Sequence, residues 1–231
     1  MPKQKKPRFD FKQLSKASSE DPCPPFELQN VVATFNLGVN HLNLRKISLE
    51  KSFIEYNPSK FAAATLRLRS PRTTALAFAS GNMVVTGAKT EHMSRLASRK
   101  YVLVLQRHGI PVCFSKFKIQ NIVASSYIPH ALNLKEISED YGTYVSYEPD
   151  LFPGLVFRTT NPQLVFLLFR SGKIVITGAR TRQQIEYTFN SLYHNVIKHY
   201  IDKGSGVLSS SEYRINMRKD IKPVHYFDKT S

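Results

Sequence analysis

Four phenylalanines of this chain form two pairs with the same spacing. Phe61 and Phe78 recur 91 positions later as Phe152 and Phe169, all on segments that the sequence predicts to be strands. Core packing is the ordinary role of a phenylalanine in a strand. Recurrence at equivalent places instead favours aromatic wedges, which enter the step between stacked base pairs and kink a duplex toward its major groove.

Polar groups recur beside these rings. Arg67 returns as Arg158, and Ser80 returns as Ser171. Basic and hydroxyl side chains next to an apolar surface suit contacts to phosphate groups, whereas a single arginine at a strand end is more commonly just solvated. The recurrence therefore favours a nucleic acid as the partner.

These matches belong to a duplication that spans residues 26 to 203. Gln29-Asn30 returns as Gln120-Asn121, and Thr86-Gly87-Ala88-Lys89 returns as Thr177-Gly178-Ala179-Arg180. Such a duplication predicts two similar halves related by a pseudo-two-fold axis. Duplex DNA is the most familiar partner with approximate two-fold symmetry.

Composition limits the classes of protein that remain. The 231 residues are 42% hydrophobic, which is ample for a buried core, and they carry a formal net charge of +16. A basic folded core indicates an acidic partner, either nucleic acid or an anionic membrane surface. No apolar run approaches the roughly 20 residues that a membrane-spanning helix needs. Cys23 and Cys113 form no disulfide framework, so a reducing cytosol or nucleus is expected.

Each copy is predicted to run strand, short helix, several strands and long helix, from apolar residues at strand or helix spacing and turn residues between them. The predicted strands of the first copy are Phe26 to Phe35, Phe61 to Arg69, Thr74 to Ala79 and Met83 to Gly87. The predicted helices are Leu42 to Lys51, Lys89 to His108 and, closing the second copy, Thr181 to Lys203.

Strand parity separates two faces of the predicted sheet. Ala75 and Ala77 are small enough for close helix packing, whereas Leu76, Phe78 and Val84 lie on the other face. Helices must cover one face, and the other predicted helices do not cover the face with Leu76, Phe78 and Val84. An apolar surface of this kind normally marks a binding site.

The predicted organisation has four parts. Residues 1–25 form a flexible basic arm, and residues 204–231 form a flexible C-terminal extension. The two repeats lie between them, at 26–112 and 113–203.

Eight short runs narrow the choice of family. They are Leu28-Gln29-Asn30, Tyr56-Asn57-Pro58, Pro71-Arg72-Thr73-Thr74-Ala75-Leu76, Val84-Val85-Thr86-Gly87-Ala88-Lys89, Ser98-Arg99-Lys100-Tyr101, Phe117-Lys118-Ile119-Gln120-Asn121, Tyr147-Glu148-Pro149 and Leu151-Phe152-Pro153-Gly154-Leu155. Together they closely resemble the TATA-box-binding protein family over about residues 26 to 203. Their conjunction is far more specific than any single run.

The resemblance implies an α+β fold, a saddle of two pseudo-symmetric repeats that form one long curved antiparallel sheet with four helices on the convex face. It also implies a general transcription initiation factor of the nucleus that binds A·T-rich promoter DNA in the minor groove. Phe61 with Phe78 and Phe152 with Phe169 would then be the wedge pairs that bend the duplex, a mode for which this family is the standard example. Catalysis, cofactors and metals are not expected.

The resemblance assigns further DNA contacts to three groups of residues. Groups near the pseudo-dyad that reach minor-groove acceptors would be Asn30, Asn121, Thr86 and Thr177. The apolar bed would be Val32, Val84, Val123, Val175, Leu76 and Leu167. The contacts to the DNA backbone would be Arg67, Arg158, Ser80, Ser171 and Lys173.

Two positions depart from the family pattern. Asn82 stands where the family usually has a lysine, opposite Lys173 of the second copy, and Arg170 replaces a typically apolar residue. The departure at Asn82 removes one expected phosphate contact. The wedge phenylalanines are unaffected, and the chain is expected to be a divergent eukaryotic member.

Protein partners are also implied by the resemblance. They are general transcription factors IIA and IIB, TATA-binding-protein-associated factors and the rest of the preinitiation complex. A loop with Glu148, Asp150 and Leu151 would contact factor IIB. The basic helix surface for factor IIA would comprise Lys89, Arg95, Arg99, Lys100 and Arg107.

Other classes of protein remain as alternatives. A related factor could use the same fold mainly as a protein scaffold or at non-TATA promoters, although the four intact phenylalanines argue against it. An RNA-binding sheet would also display aromatic residues, but the ribonucleoprotein motif is missing from the sequence. An enzyme has little support, since the sequence contains neither metal-ligand spacing nor a phosphate-binding glycine loop.

Overall fold

The computed structural model describes residues 22–202. Within that range the sequence folds into ten strands and four α-helices. The strands are β1 (Phe26–Asn36), β2 (Ile54–Glu55), β3 (Ala63–Arg69), β4 (Arg72–Phe78), β5 (Asn82–Ala88), β6 (Ser115–Tyr127), β7 (Val145–Ser146), β8 (Leu155–Arg158), β9 (Val165–Leu168) and β10 (Lys173–Ala179). The helices are α1 (Leu44–Glu50), α2 (Glu91–Arg107), α3 (Leu134–Asp140) and α4 (Arg182–Asn195), and a 3-10 helix follows at Ile197–Tyr200.

The strands are hydrogen-bonded in the order β2-β3-β4-β5-β1-β6-β10-β9-β8-β7. Strand pairing is antiparallel between β1 and β5, within β2-β3-β4-β5 and within β7-β8-β9-β10. The predicted α+β class, with a ten-stranded antiparallel sheet and four helices, is confirmed for the described residues. The predictions for most of the N-terminal arm and for the C-terminal extension concern residues outside that range.

The chain divides into two compact units. We call Leu28–Ala124 with Gly178–Arg182 the first unit. The second unit comprises, within the described range, residues 22–27, Ser125–Thr177 and 183–202. Each unit has its own core, built from one face of its strands and from its helices.

In the first unit, alternation along the strands places the small residues against α2. Ala75 and Val85 are fully buried and pack in one cluster with Ala97 and Tyr101 of α2. The Tyr101 hydroxyl donates to the Thr73 carbonyl oxygen at 2.7 Å, and burial raises the pKa of this phenol. The predicted strand parity is therefore confirmed in this unit.

The second unit repeats this arrangement with larger side chains. Phe166 and Ile174 are fully buried, and Phe166 stacks on Phe189 of α4 with 6.3 Å between ring centroids. Ile185 and Leu192 of α4 are also fully buried. Burial of these side chains is the main favourable contribution to folding of the unit.

Short polar caps set where the two small helices begin. The Asn43 side chain accepts a hydrogen bond from the Lys46 N–H, and the Asn133 side chain accepts one from the Glu136 N–H. An asparagine at this position satisfies an N–H that has no partner within the helix. Consequently α1 starts at Leu44, two residues later than the apolar spacing predicts.

The predicted closing helix from Thr181 to Lys203 is wrong in about its last third. Helix α4 ends at Asn195, whose side-chain amide donates to the Ser191 carbonyl oxygen at 2.8 Å. The chain then pairs with a loop, since Ile201 forms a β-bridge with Leu132 and the Asp202 N–H donates to the Ala131 carbonyl oxygen. This pairing overrides the helical pattern of the local sequence.

Three of the four phenylalanines lie outside strands, contrary to the prediction. Phe61 precedes β3 and its N–H donates to the Asn57 carbonyl oxygen, so the strand begins only at Ala63. Phe152 precedes β8 and Phe169 directly follows β9, while Phe78 is the last residue of β4. The rings thus stand at strand ends, where turns have shortened the expected strands.

Candidate nucleic-acid interface

The side of each unit's strands opposite its helix carries the predicted DNA-contacting residues, and we call it the open face. In the first unit Leu76 pairs with Val84 across the β4–β5 ladder, and both are half-buried between fully buried neighbours. In the second unit Leu167 pairs with Val175 in the same way. The remaining apolar residues predicted for this face, Val32 and Val123, are half-buried on β1 and β6.

The first aromatic pair projects from the end of the first unit's open face. The rings of Phe61 and Phe78 meet edge to face, with 6.4 Å between centroids and 64° between planes. Phe61 is 44% exposed, and Phe78 pairs with Ala63 across the β3–β4 ladder. An exposed aromatic pair of this geometry offers apolar area that a partner can bury.

The second pair is more tightly packed. Phe152 and Phe169 lie 5.9 Å apart, also edge to face, and Phe169 is only 5% exposed. Gly154 stands here at the place of Ala63, and a Cβ on it would lie 2.6 Å from Phe152 Cε1 and 3.0 Å from Phe169 Cε1. The missing methyl group explains why these two rings pack closely onto the backbone.

A hydrogen-bond cluster fixes Asn30 on the open face of the first unit. The Gly87 N–H donates to Asn30 Oδ1 at 2.7 Å, and the Asn30 Nδ2 group donates to Thr86 Oγ1 at 3.1 Å. Because a backbone N–H can only donate, the amide oxygen must face Gly87. The amide nitrogen has two hydrogens, so besides donating to Thr86 it can donate to an acceptor outside this cluster.

The same contact occurs one repeat later. The Gly178 N–H donates to Asn121 Oδ1 at 2.8 Å, at the place of the Gly87 contact. Gly87 and Gly178 have φ values of 97° and 102°, a region that favours glycine. The Thr-Gly pair that recurs near the ends of β5 and β10 therefore positions each asparagine amide, and Thr177 is half-buried on β10.

The residues predicted to contact the DNA backbone differ in their surroundings. Arg67 forms an ion pair with Glu55 at 2.5 Å, in which both side chains are more than half exposed. Arg158 and Ser171 are half-buried, and Ser80 is exposed. Lys173 is only 6% exposed, so a phosphate contact would require its side chain to extend.

The predicted partner surfaces are accessible. Glu148 and Asp150 are exposed, and Leu151 between β7 and β8 is 80% exposed. This loop is therefore open to solvent and accessible to a partner.

The basic surface of α2 is partly engaged by contacts within the first unit. The Arg95 guanidinium lies 4.7 Å from the Phe117 ring centroid, and Lys100 Nζ donates to the Ser70 carbonyl oxygen at 2.9 Å. Arg99 lies 5.7 Å from the ring centroid of Phe114, while Lys89 and Arg107 are exposed at the two ends of the helix.

Sequence reasoning missed two residues at this interface. Gly154 could have been noticed, because it replaces Ala63 of the first copy beside a wedge pair. Lys116 could not, because its position depends on an irregular start of β6, where its φ is 53°.

The two cysteines differ in exposure. Cys113 is exposed, whereas burial raises the pKa of the Cys23 thiol to about 12. Among residues 22–202, none of the helices is long and apolar enough to cross a membrane.

These observations define a two-repeat α+β protein whose sheet displays, in each repeat, an aromatic pair and an oriented amide. The model of the family "Transcription factor TFIID (or TATA-binding protein, TBP)" matches the chain twice, at residues 25–108 and 116–199. The chain therefore belongs to the TATA-binding protein family, a family of transcription factors.

Individual relatives agree with this assignment. The chain is 46% identical over 209 residues to the TATA-box-binding protein of Tetrahymena thermophila, which covers 90% of this chain and 83% of the relative. It is 52% identical over 166 residues to the TATA-box-binding protein of Candida albicans, covering 72% and 69%. Among solved structures, the Methanococcus jannaschii TBP matches with a TM-score of 0.63 at 31% identity, covering 74% of this chain and 99% of that one.

Proposed function

We propose that this chain is a general transcription initiation factor that binds A·T-rich promoter DNA in the minor groove, bends it and nucleates the preinitiation complex. The observation that carries the proposal is the repeated set on the open face, with an aromatic pair and an oriented asparagine amide in each repeat. A core role would not explain why Phe61 remains 44% exposed.

The aromatic pairs supply the bending. Each pair inserts into a base step, and the cost of unstacking that step is offset by burial of ring surface and by the wider contact that a bent duplex makes. The edge-to-face contact between the rings of each pair holds them together as one rigid wedge.

The amides and the apolar bed supply base preference. The minor groove presents N3 and O2 acceptors at every base pair, and G·C adds the guanine amino group. Asn30 donates to the acceptors, whereas Val84 and Val175 cannot accept a hydrogen bond from the amino group. A buried amino group without a partner costs about 1 to 3 kcal/mol, so G·C is rejected. A·T and T·A are distinguished weakly.

The net charge of +16 supplies sequence-independent attraction to phosphate groups. We further propose that the repeats act as domains at 26–112 and 113–203, with residues 1–25 and 204–231 as extensions. The protein acts in the nucleus, where its DNA partner lies.

Binding to matched duplexes tests this function. A gel-shift titration compares an A·T-rich duplex with one in which the central steps are G·C, at several fixed salt concentrations. We expect strong preference for the A·T duplex and a linear fall of log affinity with log salt. Equal affinity for the two duplexes would contradict minor-groove recognition by this face.

Protein partners form the second half of the proposal. Exposed Leu151, with Glu148 and Asp150 beside it, suits a contact to general transcription factor IIB. The basic α2 surface suits acidic partners such as general transcription factor IIA, and TATA-binding-protein-associated factors are further partners that we propose.

Charge reversal tests the factor IIB contact. Glu148→Lys should weaken the ternary complex with DNA and factor IIB while leaving DNA binding intact. Glu139→Lys, at an exposed position of helix α3, is the matched control and should change neither. Loss of DNA binding by the Glu148 variant alone would assign this loop to folding instead.

A further inference from the structure

The two repeats differ at a position that bears on phosphate binding. The second repeat has Lys173 where the first has Asn82. Asn82 is held in a chain of hydrogen bonds, since it accepts from Asn36 Nδ2 at 2.9 Å and donates from its own Nδ2 to Ser80 Oγ at 3.1 Å. These neutral groups can bind an anion's oxygen, but they supply no charge to attract it.

A lysine on another strand lies beside Asn82. Lys116, the second residue of β6, lines a pocket of about 470 Å³ whose other walls include Phe78, Ser80, Asn82 and Val84. All of these residues belong to the first unit, and Phe78 is the wedge residue of that unit. Lys116 is exposed, so its ammonium group can bind an anion at the rim of the pocket.

The backbone at Lys116 is unusual. Its φ of 53° lies in the left-handed region, and among residues 22–202 it is the only residue other than glycine with a positive φ. Glycine would adopt this conformation without strain. A non-glycine residue that persists in a strained conformation points to a role for its side chain.

We propose that Lys116 supplies the phosphate-binding cation of the first repeat, in which Asn82 stands at the place of Lys173 of the second repeat. Its ammonium group pairs with a DNA phosphate beside the Phe61–Phe78 wedge, and the Ser80 hydroxyl and the Asn82 amide bind the same phosphate as neutral groups. Lysine suits this role because its flexible stem carries a compact charge that needs no fixed geometry. The inference rests on the proposed DNA-binding function.

The salt dependence of DNA binding tests the contact. Lys116→Gly removes the ammonium group and also relieves the left-handed strain, so the variant is expected to fold. Lys118→Ala, two residues along the same exposed strand start, removes the same charge away from the pocket and is the matched control.

One lost phosphate contact lowers the slope of log affinity against log salt by about 0.9. The deficit of Lys116→Gly relative to the unaltered chain should therefore be about 3.5-fold larger at 50 mM than at 200 mM salt. Lys118→Ala should leave the slope unchanged. Adding Asn82→Lys to the Lys116→Gly variant should restore the slope, because it returns a cation to the same pocket.

The outcomes separate this inference from the proposed function. An unchanged slope for Lys116→Gly, or an equal change for Lys118→Ala, overturns the role of Lys116 even when the unaltered chain prefers A·T-rich DNA. A chain that binds A·T-rich and G·C-rich duplexes equally, but loses slope in Lys116→Gly alone, keeps the phosphate contact and refutes the proposed base preference. If the unaltered chain binds neither duplex, both the role of Lys116 and the proposed function are overturned.

Discussion

Replacement of Asn30 by aspartate should weaken DNA binding without weakening the fold. The Asn30 oxygen accepts hydrogen bonds from the Gly87 N–H at 2.7 Å and from the Thr86 hydroxyl at 3.2 Å. An aspartate keeps this oxygen, and its negative charge strengthens the hydrogen bond from the backbone N–H. The free energy of unfolding should therefore change by less than about 1 kcal/mol.

The same substitution should weaken binding to DNA. In the aspartate variant an oxygen replaces the amide Nδ2 group, which donates to Thr86 Oγ1 at 3.1 Å and has a second hydrogen for the groove. A lost donor that leaves a buried acceptor unpaired costs about 1 to 3 kcal/mol. That loss corresponds to about 5- to 150-fold weaker binding, and repulsion between the carboxylate and the groove acceptors adds to it.

Fluorescence anisotropy with a labelled A·T-rich duplex at fixed salt measures the affinity, and urea unfolding measures the stability. Asn121→Asp is the matched variant, because the N–H of Gly178 on β10 donates to Asn121 Oδ1 in the second repeat. Both variants should lose affinity to a similar extent. A folded Asn30→Asp variant with unchanged affinity would refute the assignment of this amide to the groove.

Further predictions concern packing and cysteine reactivity. Gly154→Ala should reduce DNA bending, because a Cβ would lie 2.6 Å from a ring carbon of Phe152. The reverse change in the first repeat, Ala63→Gly, should not crowd its wedge. Equal bending by both variants in a fluorescence-transfer assay would contradict this. Thr188→Val should raise the free energy of unfolding by about 1 kcal/mol, because the fully buried Thr188 hydroxyl has no hydrogen-bond partner, and a lower urea midpoint would show that it has one. Alkylation of Cys23 should accelerate about tenfold per pH unit between pH 8 and pH 10, because its raised pKa keeps the thiol protonated in this range. A rate that levels off below pH 10 in mass-spectrometric labelling would contradict the raised pKa.

Much of the fold follows from the sequence because the pattern is local and occurs twice. The alternation of Ala75 and Ala77 with Leu76 predicts which face of β4 is buried. Thr90 accepts from the Met93 N–H, so α2 starts at Glu91, within two residues of the predicted start at Lys89. In each case the physical cause lies within a few residues of the element that it determines.

The wrong or missing predictions concern features that depend on residues far apart in the sequence. Helix α4 stops early because Ile201 pairs with Leu132, about 70 residues away in the sequence. Phe169 is more buried than expected because Gly154 leaves room for close ring packing. The approach of Lys116 to Asn82 depends on strand pairing and on one left-handed residue, which no local pattern reveals.

The bend angle of bound DNA tests the central claim most directly. Fluorescence transfer between the ends of an A·T-rich duplex is measured with the unaltered chain, with Phe78→Ala combined with Phe169→Ala, and with a control. The control combines Leu96→Ala with Tyr187→Ala, two exposed apolar residues at equivalent places on α2 and α4, 40% and 61% exposed. We predict that the unaltered chain and the control bend the duplex equally, and that the phenylalanine variant still binds but bends it far less. An equal bend with the phenylalanine variant, or a straight duplex with the unaltered chain, would contradict the assignment of the wedges.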